Sequence, residues 1–169
     1  MLQTLALVTA LQAQPAGQAT GSGSLEVPGS EARRPFAPRF AHAYTEGRST
    51  WLVLTEREPP LKAWMAAKDR AEARRLWSER ERAAFLAVKL DAEGKVDLLF
   101  ACPANGLVNT EMLSTWNGLD SVQVAFEVRD GRRLKGTLRT GSGACPGPDG
   151  RPVYCTATGA YGFDAPLEP

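Results

Sequence analysis

The chain has 169 residues, a formal net charge of +1, 43% hydrophobic residues and 23% charged ones. That length argues for one domain able to bury a core without metals or many cross-links. The balanced charge excludes a global attraction to nucleic acid or an anionic membrane, so a charged partner has to be met by a local patch. Sixteen glycines and twelve prolines predict many turns.

The chain opens MLQTLALVTALQAQPAGQATGSGSLEVPGS. Residues 2–11 are apolar apart from Gln3 and two threonines, and carry no charge. The run is shorter than the ~18 apolar residues that a membrane-spanning helix takes. With small residues following, it has the form of a secretory signal peptide, although no Lys or Arg precedes it. Gly17-Gln18-Ala19 fits a peptidase site and Ala13 is an earlier option; the alternative is an apolar tail without structure. No lipobox cysteine follows, which argues against a lipid anchor. Residues 1–19 are therefore read as a signal peptide and 20–38, rich in Gly, Ser, Pro, Ala and Arg without a period of 2 or 3.6, as a flexible leader. Residues 39–169 form a single domain, and the mature protein is periplasmic or secreted.

RFAHAYTEGRSTWLVLTE reads as a hairpin with Gly47 in a three-residue loop. Phe40, His42 and Tyr44 then share a face with Leu52 and Leu54, although the run WLVL also fits a strand buried on both sides. EREPPLKAWMAAKDRAEARRLWSERERAA follows, with Pro59-Pro60 suited to a helix start. One straight helix would place Lys68 and Glu72 inside the apolar stripe. Asp69 with Glu72 three residues on has the form of a capping box. The segment is thus expected to break into two short helices, one burying Leu61, Trp64 and Met65, the other Ala73, Leu76 and Trp77.

AFLAVKLDAEGKVDLLFA predicts a hairpin around Ala92-Glu93-Gly94, pairing Leu90 with Val96, Val88 with Leu98 and Leu86 with Phe100. In SVQVAFEVRDGRRLKGTLRT a two-residue Asp-Gly turn would set Phe126 against Lys135. Each apolar side chain so misplaced forfeits about 1.5–3 kcal/mol. A loop Arg129-Asp130-Gly131 instead pairs Phe126 with Leu134, Val124 with Gly136 and Val122 with Leu138. Between these hairpins, 110–116 are compatible with one helical turn. The tail YCTATGAYGFDAPLEP reads as a last strand. The expected fold is α+β: a mainly antiparallel sheet of hairpins with the helical insertion packed on one face.

ACPGPDGRPVYC separates Cys145 from Cys155 by turn residues. In an exported protein these two are expected to form a disulfide, worth ~2.7 kcal/mol in the chain-entropy model for a loop of about ten residues. Cys102 is left over at a strand end, as a buried thiol, a nucleophile or a thiol for a partner chain, and its pairing with Cys145 or Cys155 is the other connectivity the sequence allows. The single histidine, His42, lies in an apolar strand and reads as structural. Cys102 with His42 is the one thiol–base pair on offer. One His without C-x-x-C spacing argues against a zinc site, so no metal or cofactor is expected. The chain carries no G-x-S-x-G, Walker A loop or dinucleotide fingerprint. Arg133, Lys135 and Arg139 line the outer face of their hairpin, either as solvated charges guarding an edge or as a partner-binding stripe. Aromatics do not interleave with them, which argues against nucleic acid. Trp116 and Tyr161 are candidate contact residues. Together these readings describe a small exported binding protein whose partner is a protein or an envelope component. The alternatives are an extracytoplasmic hydrolase using Cys102 or a carboxylate pair, and a structural envelope protein.

Overall fold

The computed structural model describes residues 17–26, 33–104, 113–116, 122–141, 144–146, 152–154 and 157–169. Among them are twelve strands and two helices. These are β1 (Gly17–Glu26), β2 (Arg33–Phe36), β3 (Phe40–Glu46), β4 (Ser49–Thr55), α1 (Leu61–Ala66), α2 (Arg70–Glu81), β5 (Phe85–Leu90), β6 (Val96–Cys102), β7 (Leu113–Trp116), β8 (Val122–Arg129), β9 (Arg133–Thr140), β10 (Ala144–Pro146), β11 (Pro152–Tyr154) and β12 (Ala157–Glu168). One sheet runs β7-β6-β5-β4-β3-β1-β12-β9-β8, with β2 added to β1; β10 and β11 form a separate hairpin. Neighbours are antiparallel except for a short parallel join of Leu167 and Glu168 to Ala43 and Tyr44.

The α+β expectation is overturned, because the protein is mainly β. Its helices have only six and twelve residues, and the sheet curls into a half-barrel. One core cluster unites Leu86, Val88 and Leu99 on one limb with Val122, Leu134 and Leu138 on the other. Cα atoms of β6 and β8 come within 8 Å of each other. Arg129 ties the limbs at their tips, its Nη2 donating to the Ala92 carbonyl at 2.7 Å. Most of the core therefore lies inside the curl, and the helices cover a second, smaller cluster on the outer face of β3–β6. Hence β4 is buried on both sides over WLVL.

The segment read as a flexible leader, 20–38, supplies β2 and most of β1, which begins at Gly17 within the stretch read as a signal peptide. Ala19, Gly23 and Leu25 turn inward among Gln18, Thr20, Ser22 and Ser24, a pattern that is hard to see because Gly21, exposed at φ 93°, and Gly23 carry no side chain. Gly23 has a reason. Tyr161 is 1% exposed, and its hydroxyl occupies the space that a Cβ at Gly23 or Gly159 would need. Gly23 and Gly159 face each other across β1 and β12. Leu25 and Phe36 are fully buried, the latter edge-on to Tyr161 at 5.6 Å.

The hairpins form, with altered registers. Gly47 (φ 62°) starts a two-residue turn, pairing Glu46 with Ser49. Phe40, His42 and Tyr44 consequently share a face with Trp51 and Val53 rather than with Leu52 and Leu54. In β5–β6, Leu90 does pair with Val96, but Asp97 is bulged out. Val88 then meets Leu99 and Leu86 meets Ala101, which turns Leu98 and Phe100 to the helix side. In β8–β9 a bulge at Glu127 slides the pairing by two. Phe126 meets Gly136 and Val124 meets Leu138, so residues 122–126 keep their expected faces, whereas beyond the bulge Val128 falls opposite Lys135 and Arg129 opposite Leu134. Phe126 and Phe163 flank Gly136 on both sides and meet edge-on at 6.1 Å, a contact that a side chain at 136 would block. Both bulged residues are acidic and ion-paired to a lysine on the neighbouring strand, Asp97 to Lys89 and Glu127 to Lys135. Residues 113–116 form β7, not a helical turn.

The helix break lies where the sequence places it. Asp69 caps α2 by accepting from the Glu72 N–H at 2.9 Å. Leu61, Trp64 and Trp77 are buried, but Leu76 is 51% exposed, and Arg74 and Ser78 take the inward positions.

Gly23→Val is expected to cost about 3 kcal/mol or more, because its Cβ collides with backbone as well as with the Tyr161 hydroxyl. Gly131, with open space around it, should accept Ala within about 0.5 kcal/mol. Urea denaturation of the two variants checks both values.

Candidate functional site

Two places gather the chemistry-bearing side chains: the cluster under the helices and a cleft at their outer edge. The cluster is a ladder of stacked rings on the outer face of β3, β4 and β6. His42 stacks on Tyr44 at 5.7 Å, Tyr44 on Trp51 at 6.4 Å, and Trp51 on Phe100 at 5.7 Å. Tyr44 and Trp51 are direct cross-strand partners, which places their rings one above the other. Arg74 comes down from α2 with 2% exposure. Its guanidinium lies 5.0 Å from the Trp51 ring centre and 5.6 Å from that of Tyr44, and it donates to the Tyr44 hydroxyl. Cation–π attraction strengthens where water is excluded, and it supports this charge where no carboxylate of the described residues forms an ion pair with it. Arg70, one turn earlier, lies 5.1 Å over Tyr44 and donates to the Thr45 carbonyl at 3.2 Å. Glu46 accepts from Trp51 Nε1 at 3.0 Å.

His42 is 1% exposed, and its two ring nitrogens have no hydrogen-bond partner. Burial, with the charges of Arg74 and Arg70 added, pushes its pKa down to about 4. Cys102 is fully buried, its Sγ 3.1 Å from Ser78 Oγ, and Ser78 in turn donates to the Ala83 carbonyl at 2.7 Å. Burial pushes this thiol up, away from the thiolate that a nucleophile requires. The register keeps the two apart. His42 is in line with Val53, Ala87 and Phe100, whereas Cys102 is in line with Phe85, Thr55 and Phe40. Three strand spacings, about 14 Å, separate β3 from β6. The structure does not bring these candidates together.

The remaining candidates are scattered. Tyr161 is a core residue rather than a contact residue, and burial pushes its hydroxyl up to about 12. Arg133 and Lys135 do project from the outer face of β9, but each is matched by an acid. Arg133 Nε donates to Asp164 at 2.6 Å and Lys135 pairs with Glu127 at 2.6 Å. Arg139 is exposed on the same face, opposite Gln123 on β8 and Ala160 on β12. The stripe is therefore mixed in sign along most of its length. Trp116 ends β7 with its backbone opposite Leu98, and its side chain lies outside the described residues. Cys145 sits in β10 opposite Val153. Cys155, and with it the expected disulfide, lies outside the described residues. Among the described residues no group of three or more His, Cys, Asp or Glu side chains is placed to hold a metal ion.

The cleft has a volume of about 430 Å³ and is lined by Pro59, Pro60 and Trp77 together with Arg57, Glu58, Arg80 and Glu81. It forms where the chain leaves β4 and doubles back beneath the end of α2. Leu76 precedes Trp77 and lies one turn before Arg80 on the helix surface. Glu81 is shared between Arg57 at 3.8 Å and Arg80 at 3.1 Å. The sequence hides this cleft because Pro59-Pro60 reads as a helix start and Trp77 as core. Arg74 was legible in principle. Arg75 has Glu72 and Glu79 at helical spacing and pairs with both, whereas the corresponding neighbours of Arg74 are Arg70, Ala71, Trp77 and Ser78.

Comparison with known protein families, with curated proteins and with solved structures finds no match.

Because His42 binds its proton more weakly folded than unfolded, the stability from its neutral form is complete above pH 6.5 and is lost as pH falls toward 4. The loss attributable to His42 is about 3 kcal/mol. His42→Leu should flatten the stability profile in this window when both proteins are denatured with urea at pH 7, 5.5 and 4. Cys102 in the native protein should alkylate roughly a hundredfold or more slowly than in the urea-unfolded chain, which timed iodoacetamide labelling at that site reads directly.

Proposed function

We propose that this chain is an exported binding protein that docks a protein or an envelope component at the cleft of Pro59, Pro60 and Trp77, with Leu76 beside it. A single exposed leucine is ordinary on a protein surface. Its place here is what supports docking. Leu76 stands 51% exposed on α2, next in sequence to an aromatic that lines a concave site bounded by two prolines. Prolines and a buried indole give that surface little conformational freedom to lose on binding. The same lining carries both signs of charge, Arg57 and Arg80 with Glu58 and Glu81, which suits a partner that offers polar as well as apolar groups. Export is supported by the charge-free apolar run at 2–11 and the small residues after it. Among the described residues no helix is long and apolar enough to cross a membrane. Joining Cys145 to Cys155 belongs to the same reading, since disulfides persist in oxidising compartments.

Affinity capture from an envelope fraction, comparing the natural chain with Leu76→Glu and Gly131→Ala, tests the proposal. The expected result is a partner retained by the natural chain and by Gly131→Ala but reduced about tenfold or more by Leu76→Glu. Equal recovery by a natively folded Leu76→Glu, judged by its unchanged urea midpoint, would overturn the assignment of this surface.

A further inference from the structure

The two helices are held to the sheet by side chains. Among the described residues no backbone hydrogen bond joins α1 or α2 to a strand. α1 has six residues and no side-chain cap. The polar ties of α2 to the strands beneath it are Arg70 to the Thr45 carbonyl, Arg74 to the Tyr44 hydroxyl, and Ser78 with Cys102. Two of these ties come from arginines that stand over the Tyr44 ring, and His42 stacks against that same ring. The interface is also short of hydrogen bonds. Six buried side-chain nitrogen and oxygen atoms lack a partner among the described residues, and four of them lie here: both ring nitrogens of His42, Trp64 Nε1 and Arg74 Nε.

A charge on His42 would meet cations. Arg74 and Arg70 are the charged groups that act on it, and both oppose its proton. The other groups on this face are neutral or engaged. On β3, burial holds the Tyr44 hydroxyl protonated, and Glu46 accepts from Trp51. β4 presents Trp51 and Val53. Lys89 on β5 pairs with Asp97 on β6, and the Cys102 thiol is likewise held protonated by burial. β1 brings Gln18 opposite Phe40, and β12 brings a half-buried Glu168 opposite Tyr44. α1 contributes Trp64.

We propose that α1 and α2 form an acid-released cover: a proton on His42 drives off the two arginines that tie α2 down, and the helices leave the outer face of β3–β6 while the core inside the curl stays closed. The inner core contains no charged residue, so nothing in it answers to the same proton. Release uncovers the ring ladder of Tyr44, Trp51 and Phe100. It also takes Trp77 away from Pro59 and Pro60, so a partner held at the cleft would be let go; that consequence rests on the docking reading, whereas the opening does not.

Hydrogen exchange of the full chain at pH 7 and pH 4, corrected for the intrinsic rate at each pH, is the test. Protection of 70–81 is expected to fall about a hundredfold, the ratio that linkage gives for a group returning from about 4 to 6.5 on opening. Residues 133–140 and 157–168 should keep theirs. His42→Leu and His42→Gln, neither of which can take up the proton, should abolish the acid response of α2 once their fold at pH 7 is confirmed by the urea midpoint. Equal loss of protection in α2, β9 and β12 would make the event global unfolding and overturn the proposal. An undiminished acid response in both variants, or full protection of α2 at pH 4 in the natural chain, would overturn it as well.

Discussion

The two limbs of the curled sheet meet at a seam, and the architecture depends on how that seam is made. One edge of β3 is covered in succession by the start of β1, at Phe40 and Ala41, and by the end of β12, at Ala43 and Tyr44. Among the described residues no other ladder joins the β3–β7 limb to the limb of β1, β12, β9 and β8. The inward residues there are small: Ala41 and Ala43 on β3, Ala19 on β1, Ala165 on β12. Small side chains at the bend let the limbs close, and the larger Leu52, Leu54, Leu86, Leu138, Tyr161 and Phe163 fill the space to either side. The Arg129 bond to Ala92 holds the opposite, open side of the curl.

This closure explains why the protein has two cores of different character. Inside the curl the packing is almost wholly aliphatic and aromatic. Outside, where β3–β6 would face water, α1 and α2 supply a cover too narrow to be purely apolar. Trp64 and Trp77 meet edge-on at 5.1 Å, and Arg74 fills the remaining space over the Tyr44 and Trp51 rings. A buried cation is costly without partners. Here its aromatic neighbours and the Tyr44 hydroxyl supply them, and the neutral state of His42 avoids a second charge in the same place.

Much of the local structure was legible in the sequence. Glycine-centred turns marked all three hairpins, and Asp69 with Glu72 marked the helix break. What could not be read was register. Asp97 and Glu127 are bulged, each ion-paired to a lysine on the adjacent strand, and nothing in VDLLFA or VAFEVR distinguishes them from ordinary strand residues. Because side chains alternate, the single-residue shift at Asp97 reversed a face of β6, whereas the slide at Glu127 left residues 122–126 on their expected faces. β1 was missed because Gly23 makes room for the Tyr161 hydroxyl, about 140 residues away in sequence, and local pattern carries no trace of that. Of the site residues, His42, expected to be structural, and Cys102, one of whose readings was a buried thiol, are buried, while Tyr161, a candidate contact residue, lies in the core. The cleft joins the β4–α1 connection to the end of α2 through a tryptophan whose side chain also belongs to the core.

The placement of β12 has a consequence for how the protein comes into being. The strand between β1 and β9 comes last in chain order among the described strands, and its final residues close the seam. The growing chain can form its local hairpins early, but it cannot complete the sheet until β12 has been made. Contacts of such long sequence separation form slowly. Until then the inner faces of its hairpins, whose apolar residues belong to one shared core, are left without their cover.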